Sequence, residues 1–312
     1  MTNIAQSHPP SLPSANKPNT KQIQYPLWFG GSASCMAVAI SHPLDLIKVR
    51  MQMEPGERKG GTVGTSVRII RQEELRGLYA GFSAGFMRQL TYGTIRLATY
   101  EKLKEHLKST SATTPSTVAL TVSASLSGFI GAIPGNASDI ANIRMQNDAS
   151  LPASQRRNYR HIFDAWGRMY KAEGTLFFMQ GMLPNCIRCG LMTACQLASY
   201  DYFKGLFGRV TGWDGEGSSV LHFGSSVMAA LVATSVCSPI DVVKTQLMGL
   251  GSWEGTSVGR VVLRMTRMEG VRWAFRGWVP SFVRLGPQTV ATLVLLEQHK
   301  RVYRGLLGVV GG

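Results

Sequence analysis

Charged residues are missing from three long stretches of the sequence, and acids are scarce throughout. The chain has 33 lysines and arginines against 18 acids, a formal net charge of +15. In a soluble protein this excess would first indicate nucleic acid or an acidic surface as the partner. The positions of the charges argue against that, since residues 22–44, 109–138 and 217–240 contain no Asp, Glu, Lys or Arg. Each stretch could cross a hydrocarbon core of about 30 Å as a helix.

Patterns for catalysis and metal binding are missing too. Cys186 and Cys189 form a CxxC pair, but without a second pair of ligands it predicts neither a zinc nor a redox site. The five cysteines lie in apolar segments, where packing explains them, and the six histidines show no ligand spacing. No nucleophile stands beside a base, and no glycine-rich loop could hold a phosphate. We therefore expect no metal, no cofactor and no enzymatic activity.

The mean hydropathy of +0.02 is low for a membrane protein. Small residues, as in 30–34 and 123–128, explain the value, because they allow close helix packing in lipid but score poorly as hydrophobic. Buried helices of a soluble protein are the alternative. The polar segment 1–24 has four prolines and no arginine, unlike a signal sequence or an Arg-rich transit peptide, and we expect it to be disordered.

One short motif recurs three times and divides the chain. The copies are Pro43-Leu-Asp45-Leu-Ile-Lys48, Ala137-Ser-Asp139-Ile-Ala-Asn142 and Pro239-Ile-Asp241-Val-Val-Lys244, and their acids are 94 and 102 residues apart. Such a period predicts three units of similar fold. We place these units at residues 25–108, 109–210 and 211–312.

Each unit has a second apolar segment, which arginine interrupts. Arg88 and Arg96 lie in the first, Arg188 in the second and Arg284 in the third. An ionisable residue within a membrane span is costly and normally faces a polar cavity. Arg88, Arg188 and Arg284 each precede an acid of their own segment by 13 residues, which places them about 20 Å deeper on a helix. They should converge at one level, with no acid nearby in sequence, and could pair with a small dianion.

Acids and bases also recur at the ends of these second segments, as Glu101 with Lys104, Asp201 with Lys204 and Glu297 with Lys300. Short amphipathic helices along the membrane surface are predicted at 65–72, 161–172 and 259–268. The loops that contain them, 49–80, 143–180 and 245–276, hold 17 lysines and arginines, many more than the other loops. By the positive-inside rule, both chain termini then lie on the opposite side of the membrane.

Taken together, the triplicated Pro-x-Asp-x-x-Lys motif, the elements from Glu73, Glu173 and Glu269 to a glycine, and the acid-x-x-Lys endings resemble the mitochondrial carrier family. The resemblance runs from about Tyr25 to the C-terminus. Residues 142–148 and 275–287 are most similar to its dicarboxylate-carrier branch, particularly the fungal type. The resemblance implies an all-α membrane protein with six transmembrane helices in three pseudo-threefold repeats, short matrix helices, one central site and a gate on each side.

The resemblance also implies roles for the charged residues. The substrate would be bound by Arg88, Arg188 and Arg284, whereas Arg96 either lines the cavity or braces a neighbouring helix. The matrix gate would consist of Asp45, Lys48, Asp139, Asn142, Asp241 and Lys244, in which each acid meets the base of the next repeat. Asp45 would then face only the amide of Asn142, so two full ion pairs remain. The cytoplasmic gate would consist of Glu101, Lys104, Asp201, Lys204, Glu297 and Lys300.

Two further features follow from the resemblance. Gly81, Gly181 and Gly277 would begin helices that bind cardiolipin as a structural lipid, although only Arg276 keeps the base that usually precedes this glycine. Pro43 and Pro239 should kink their helices near the gate, whereas the second repeat has Ala137 in that place and Pro134 three residues earlier.

We therefore expect a monomeric antiporter of the mitochondrial inner membrane, with both termini in the intermembrane space. It would exchange small dicarboxylates such as malate or succinate for phosphate, sulfate or a similar dianion. An oxoglutarate- or oxaloacetate-type carrier and a protein similar to the uncoupling group are alternatives within the family. A soluble nucleic-acid-binding protein is the remote alternative, against which the three charge-free stretches argue.

Overall fold

A computed structural model describes residues 28–53, 61–110, 116–211, 219–250 and 257–306. The tail predicted at 1–24 lies outside the described residues. Within them the chain is helical, and no residue is assigned to a strand. Six helices are long: α1 (Trp28–Met53), α3 (Phe82–Thr110), α4 (Thr117–Asn147), α6 (Met182–Thr211), α7 (Ser219–Gly249) and α9 (Trp278–Leu306). Three are shorter: α2 (Gly61–Gly77), α5 (Ile162–Glu173) and α8 (Val258–Glu269).

The long helices form a closed barrel. Each packs against the next along the chain, and α9 packs against α1. The helices α1, α4 and α7 also contact one another, while α2, α5 and α8 pack beside their C-terminal halves. We call this end of the barrel the matrix end and the opposite end the cytoplasmic end, after the predicted orientation.

Within the described residues, three helical stretches are long and apolar enough to cross a membrane: Thr117–Ser150, Val220–Gly249 and Val258–Gly305. The long helices α1, α3 and α6 are not among them. The ring nevertheless requires all six, because each long helix fills one position in it.

The short helices end at a sharp change of backbone direction. After α5 and α8, Gly174 and Gly270 adopt φ of +67° and +63°, and short 3₁₀ helices follow at Gly174–Met179 and Gly270–Phe275. In the first repeat, Glu74 occupies the same place with φ 59° and ψ −170°. This backbone region is nearly reserved for glycine, so Glu74 is strained.

Prolines and cysteines lie within the long helices. Pro43, Pro134 and Pro239 are inside α1, α4 and α7, and each helix continues past its proline. Cys186 and Cys189 are free and buried, and they pack with Ala132, Tyr92 and Met182. The packing role expected for this pair agrees with these contacts.

Candidate functional site

The three arginines converge at the matrix end of the barrel interior. Arg88, Arg188 and Arg284 come from α3, α6 and α9, and their side chains are 20%, 19% and 12% exposed. They line a cavity of about 60 Å³ together with the motif residues of α1, α4 and α7. The sequence placed the arginines at one level, and the structure also brings the motif acids and bases to that level.

Two ion pairs connect the motif copies. Lys48 Nζ lies 2.7 Å from Asp241 Oδ2, which ties α1 to α7, and Lys244 Nζ lies 3.0 Å from Asp139 Oδ2, which ties α7 to α4. Both pairs were predicted from the sequence and are confirmed. Asn142 stands at the third base position, where its Oδ1 accepts a hydrogen bond from Gln146 Nε2 at 3.0 Å.

The prediction that Asp45 faces only an amide is wrong. Arg284 Nε lies 3.0 Å from Asp45 Oδ1, and Arg88 lies 3.9 Å from Asp45 Oδ2. The physical reason is that the matrix end is closed, so the ends of α1, α4 and α7 reach the depth of the arginines on α3, α6 and α9.

No acid lies near the arginines in sequence, but aspartates of other helices lie beside them in the structure. Arg188 forms an ion pair with Asp241, and Arg88 lies 3.6 Å from Asp139 as well as near Asp45. The aspartates therefore hold the guanidinium groups in this conformation.

The charges around the cavity do not cancel. Its lining has five cationic side chains and three carboxylates, a formal net charge of +2. In a low-dielectric interior, uncompensated charge of this kind is costly and strongly favours a counter-ion. The arrangement can therefore bind a compact anion of two charges, provided that the anion displaces aspartate oxygens from the arginines.

The sequence analysis missed several polar side chains that form hydrogen bonds within this cluster. Asn185 Nδ2 donates to Asp139 Oδ2 at 2.9 Å and to Asn136 Oδ1 at 3.0 Å. Thr245 donates to Gln52 Oε1 at 2.7 Å. The sequence signal that could have identified such residues is an amide within an apolar segment, because a buried amide must find hydrogen-bond partners.

A second charged layer lies nearer the matrix surface. Arg50 pairs with Glu73 in the first repeat and Arg144 with Glu173 in the second, each through both guanidinium NH2 groups. The third repeat has Gln246 where the others have arginine, and its Nε2 donates to the carbonyl of Gln52 at 2.6 Å.

In the third repeat another arginine replaces the missing one. Arg276, which precedes Gly277, forms an ion pair with Glu269. Burial lowers the pKa of Arg276, but arginine remains protonated at physiological pH. The sequence analysis grouped Arg276 with the lipid-binding glycine, whereas the structure shows its guanidinium at the carboxylate of its own repeat.

The three glycines predicted to bind lipid pack against the motif. Gly81, Gly181 and Gly277 have φ of +79°, +64° and +69°. A Cβ on Gly277 would come within 3.1 Å of the carbonyl oxygen of Lys48, and one on Gly81 within 3.4 Å of that of Asn142. For Gly181, the Cβ would meet the Met248 side chain at 2.8 Å. These positions therefore require glycine because of packing and backbone geometry.

The acids predicted for the cytoplasmic gate are not paired across repeats within the described residues. Glu101 and Asp201 have no ion pair there, and Glu297 pairs with Arg304 of its own helix at 2.8 Å. Lys104 lies over the ring of Tyr100, 5.8 Å from its centroid. In the part of the chain that the structure describes, the matrix end is therefore paired and the cytoplasmic end is open.

Arg96 lies in the open half of the barrel. It lines a cavity of about 440 Å³ with Thr193, Gln196 and Tyr200, and its guanidinium is 5.5 Å from the ring centroid of Tyr92. A Cβ on Gly131 would come within 3.2 Å of the Arg96 backbone, so the helix α4 packs closely there. Of the two predicted roles, the side chain fits the lining of the cavity.

The three repeats also match a known family model. Residues 19–111, 113–211 and 215–306 each match the family described as mitochondrial carrier protein. The chain belongs to the mitochondrial carrier family. The recognition from the motifs and the predicted fold class are confirmed.

Relatives of this carrier are similar over nearly their whole length. It is 49% identical to mitochondrial citrate transporter F of Aspergillus niger over 306 residues, which cover 97% of each chain. It is 42% identical to a mitochondrial dicarboxylate transporter of Saccharomyces cerevisiae over 285 residues, which cover 90% of this chain and 93% of the relative. A mitochondrial 2-oxoglutarate/malate carrier protein of Bos taurus is 36% identical over 298 residues, 93% of this chain and 94% of the relative. These relatives are transporters, which supports a transporter rather than an enzyme at the family level.

Proposed function

We propose that the protein is an antiporter of the mitochondrial inner membrane that exchanges small dicarboxylates, such as malate and succinate, for phosphate, sulfate or a related dianion. The observation that carries this proposal is the net charge of +2 on the side chains around the cavity at the matrix end. Relatives named for dicarboxylate transport and for 2-oxoglutarate and malate support the same substrate class.

A dicarboxylate would engage the arginines from the open half of the barrel. The planar guanidinium of arginine pairs with a carboxylate through two parallel hydrogen bonds, so two or three arginines can hold both ends of a short dianion. Phosphate and sulfate present similar oxygens. No bond is made or broken, and selectivity follows from the charge and length of the anion.

Binding at this place acts on the matrix gate directly. A substrate carboxylate that takes Arg284 leaves Asp45 with Arg88 alone, at 3.9 Å. A carboxylate that takes Arg188 leaves Asp241 with Lys48 alone. Substrate thereby weakens the contacts that hold the matrix end closed, and transport requires that the substrate bind the intermediate state more tightly than either open state.

The cytoplasmic gate closes in the opposite half of the cycle. Its three acids and three bases lie at the open end, and pairing across repeats would close it when the matrix end opens. Wetted ion pairs suit a gate because each contributes little and can break readily. Arg96, on the wall of the wider cavity, adds a fourth arginine on the path to the central site.

The remaining expectations belong to the same proposal. The protein acts as a monomer, with one site within one barrel, and both termini face the intermembrane space. Cardiolipin binds at the helix starts that follow Gly81, Gly181 and Gly277, where backbone N–H groups can meet a lipid phosphate.

Citrate is a second candidate substrate, because the Aspergillus niger relative named for citrate transport is 49% identical to this chain. Exchange of oxoglutarate or oxaloacetate and a proton leak of the uncoupling type are further candidates within the family. Competition among the solutes separates citrate from oxoglutarate and oxaloacetate, and fatty-acid-activated conductance identifies a proton leak.

The test is exchange in vesicles reconstituted with the purified protein. Vesicles loaded with phosphate should take up labelled malate and succinate, and uptake should vanish when the internal anion is omitted. The proposal fails if malate/phosphate exchange is absent while another solute is transported well.

Variants of the arginines locate the site. Arg88→Ala, Arg188→Ala and Arg284→Ala should each reduce exchange at least about 100-fold, as expected for the loss of a charged group that holds the substrate. Arg260→Ala is the matched control, because Arg260 is exposed on α8 and is not among the residues that line the central cavity. Exchange that survives all three central substitutions would show that the site lies elsewhere.

A further inference from the structure

Asn142 breaks the threefold pattern of the charged cluster. In the first and third repeats the same position holds Lys48 and Lys244, whose amines contact Asp241 and Asp139. Asn142 is buried, with 7% of its surface exposed, and lines the same cavity of about 60 Å³. It supplies an uncharged amide where symmetry would supply a third lysine.

This one residue sets the net charge of the cluster. With asparagine, five cations face three carboxylates, and the excess is two positive charges. A bound dianion then neutralises the cluster, whereas a trianion leaves one negative charge in a low-dielectric space. With lysine at position 142 the excess would be three, which a trianion would neutralise.

We propose that Asn142 determines the charge of the preferred substrate: the missing third lysine matches the site to dianions and disfavours fully ionised tricarboxylates. This inference rests on the proposed function and extends it to a selectivity residue. At the short distances within the cavity and an effective dielectric constant of about 20, one added unit charge interacts strongly enough with the substrate to change the relative affinity for dianions and trianions by about tenfold.

A glycine of α3 lies next to Asn142. Gly85 packs beside the amide, and a Cβ at position 85 would lie 3.4 Å from Asn142 Oδ1. The symmetric partner of a lysine at this position is Asp45, which Arg284 now contacts at 3.0 Å. In the Asn142→Lys variant, the introduced amine would therefore share Asp45 with Arg284. The guanidinium of Arg284 would then be freer to bind substrate.

The experiment uses a charge series at one position. Asn142→Asp, Asn142→Gln and Asn142→Lys are reconstituted, and the uptake of citrate and malate is compared at a pH where citrate is fully ionised. The citrate-to-malate ratio of kcat/KM should fall in the aspartate variant, stay within about twofold in the glutamine variant and rise about tenfold in the lysine variant.

The ratio separates selectivity from gating. A third ion pair at the matrix gate would slow both substrates alike and leave the ratio unchanged, a result that would overturn the inference. The wild-type protein tests the proposed function in the same assay. If the proposed function is wrong, the wild-type protein will show no malate exchange at all.

Binding without transport gives a second measurement. Each variant in detergent is heated with malate or with citrate, and the shift of Tm reports the stabilisation by the bound anion. Asn142→Lys should gain more from citrate than from malate, and the wild type should show the reverse. If Asn142→Lys does not fold, the aspartate variant decides: an unchanged ratio there contradicts the inference.

Discussion

Gly277 faces the carbonyl oxygen of Lys48 so closely that a Cβ at position 277 would lie 3.1 Å from it. Gly81 and Gly181 approach Asn142 and Lys244 of the other repeats in the same way. The helices α3, α6 and α9 therefore each begin against the base position of a neighbouring repeat. This contact joins the start of each of these helices to the matrix gate and makes the three glycines part of the gate's framework.

Gly277→Ala should lower the stability of the protein by about 2 kcal/mol, because an alanine at φ +69° is strained and its Cβ meets backbone. Gly286→Ala is the control, since it lies on the same helix with open space around it. Thermal unfolding in detergent measures both. Equal Tm values for the two variants, with and without cardiolipin, would contradict the packing role.

Lys244→Gln should weaken the closed matrix end by about 3 kcal/mol, because it leaves the buried carboxylate of Asp139 without its nearest cation. Asn185 at 2.9 Å and Arg88 at 3.6 Å compensate only in part. Lys204→Gln makes the same chemical change at a cytoplasmic-end lysine that forms no ion pair with another described residue. Tm should fall for the first variant alone, and a similar fall for both would mean that the matrix pair contributes nothing specific.

Glu74→Gly should stabilise the protein by about 1 kcal/mol, since Glu74 adopts φ 59° and ψ −170°, where only glycine is unstrained. Gly174 and Gly270 hold the equivalent places in the other repeats with φ of +67° and +63°. Gly174→Ala and Gly270→Ala should therefore act in the opposite direction. Thermal denaturation of the three variants measures these effects. A Tm of Glu74→Gly below that of the wild type would contradict this account.

Gln246→Arg should rescue Arg276→Ala. Glu269 now takes its positive partner from Arg276, whereas Glu73 and Glu173 take theirs from Arg50 and Arg144, at the position of Gln246. Arg276→Ala alone should lower the free energy of unfolding by about 2 kcal/mol, because Glu269 loses its ion pair with Arg276.

A double-mutant cycle measured by thermal unfolding gives the coupling between the two positions. Gln246→Arg in the Arg276→Ala background should recover at least half of the lost stability. Purely additive effects would show that the two arginines do not share one carboxylate.

Much of this architecture was readable from the sequence, because the same signals occur three times. The charge-free stretches and the arginine-interrupted segments predicted six long helices, and the loops between them predicted α2, α5 and α8. The ion pairs of Lys48 with Asp241 and of Lys244 with Asp139 followed from the cyclic order of the repeats.

What the sequence could not supply was the distance between helices. Whether Asp45 meets Arg284 depends on how closely α1 and α9 approach in the conformation that is closed at the matrix end. The partner of Glu269 was hidden for a related reason, because nothing in the sequence shows that Arg276 lies within reach of its carboxylate. Asn185 was missed because a single amide carries no repeating pattern.

The excess of two positive charges in the cluster has an electrical consequence. When a dianion is bound, the cluster is neutral, so the membrane voltage contributes little to the conformational change that moves the opening of the site from one side of the membrane to the other. When the site is empty, the cluster carries two positive charges, and moving each of them across the membrane potential involves about 2.3 kcal/mol per 100 mV. An unloaded carrier would be held back in both directions by the cost of burying uncompensated charge, whereas the voltage would oppose its movement in one direction and assist it in the other.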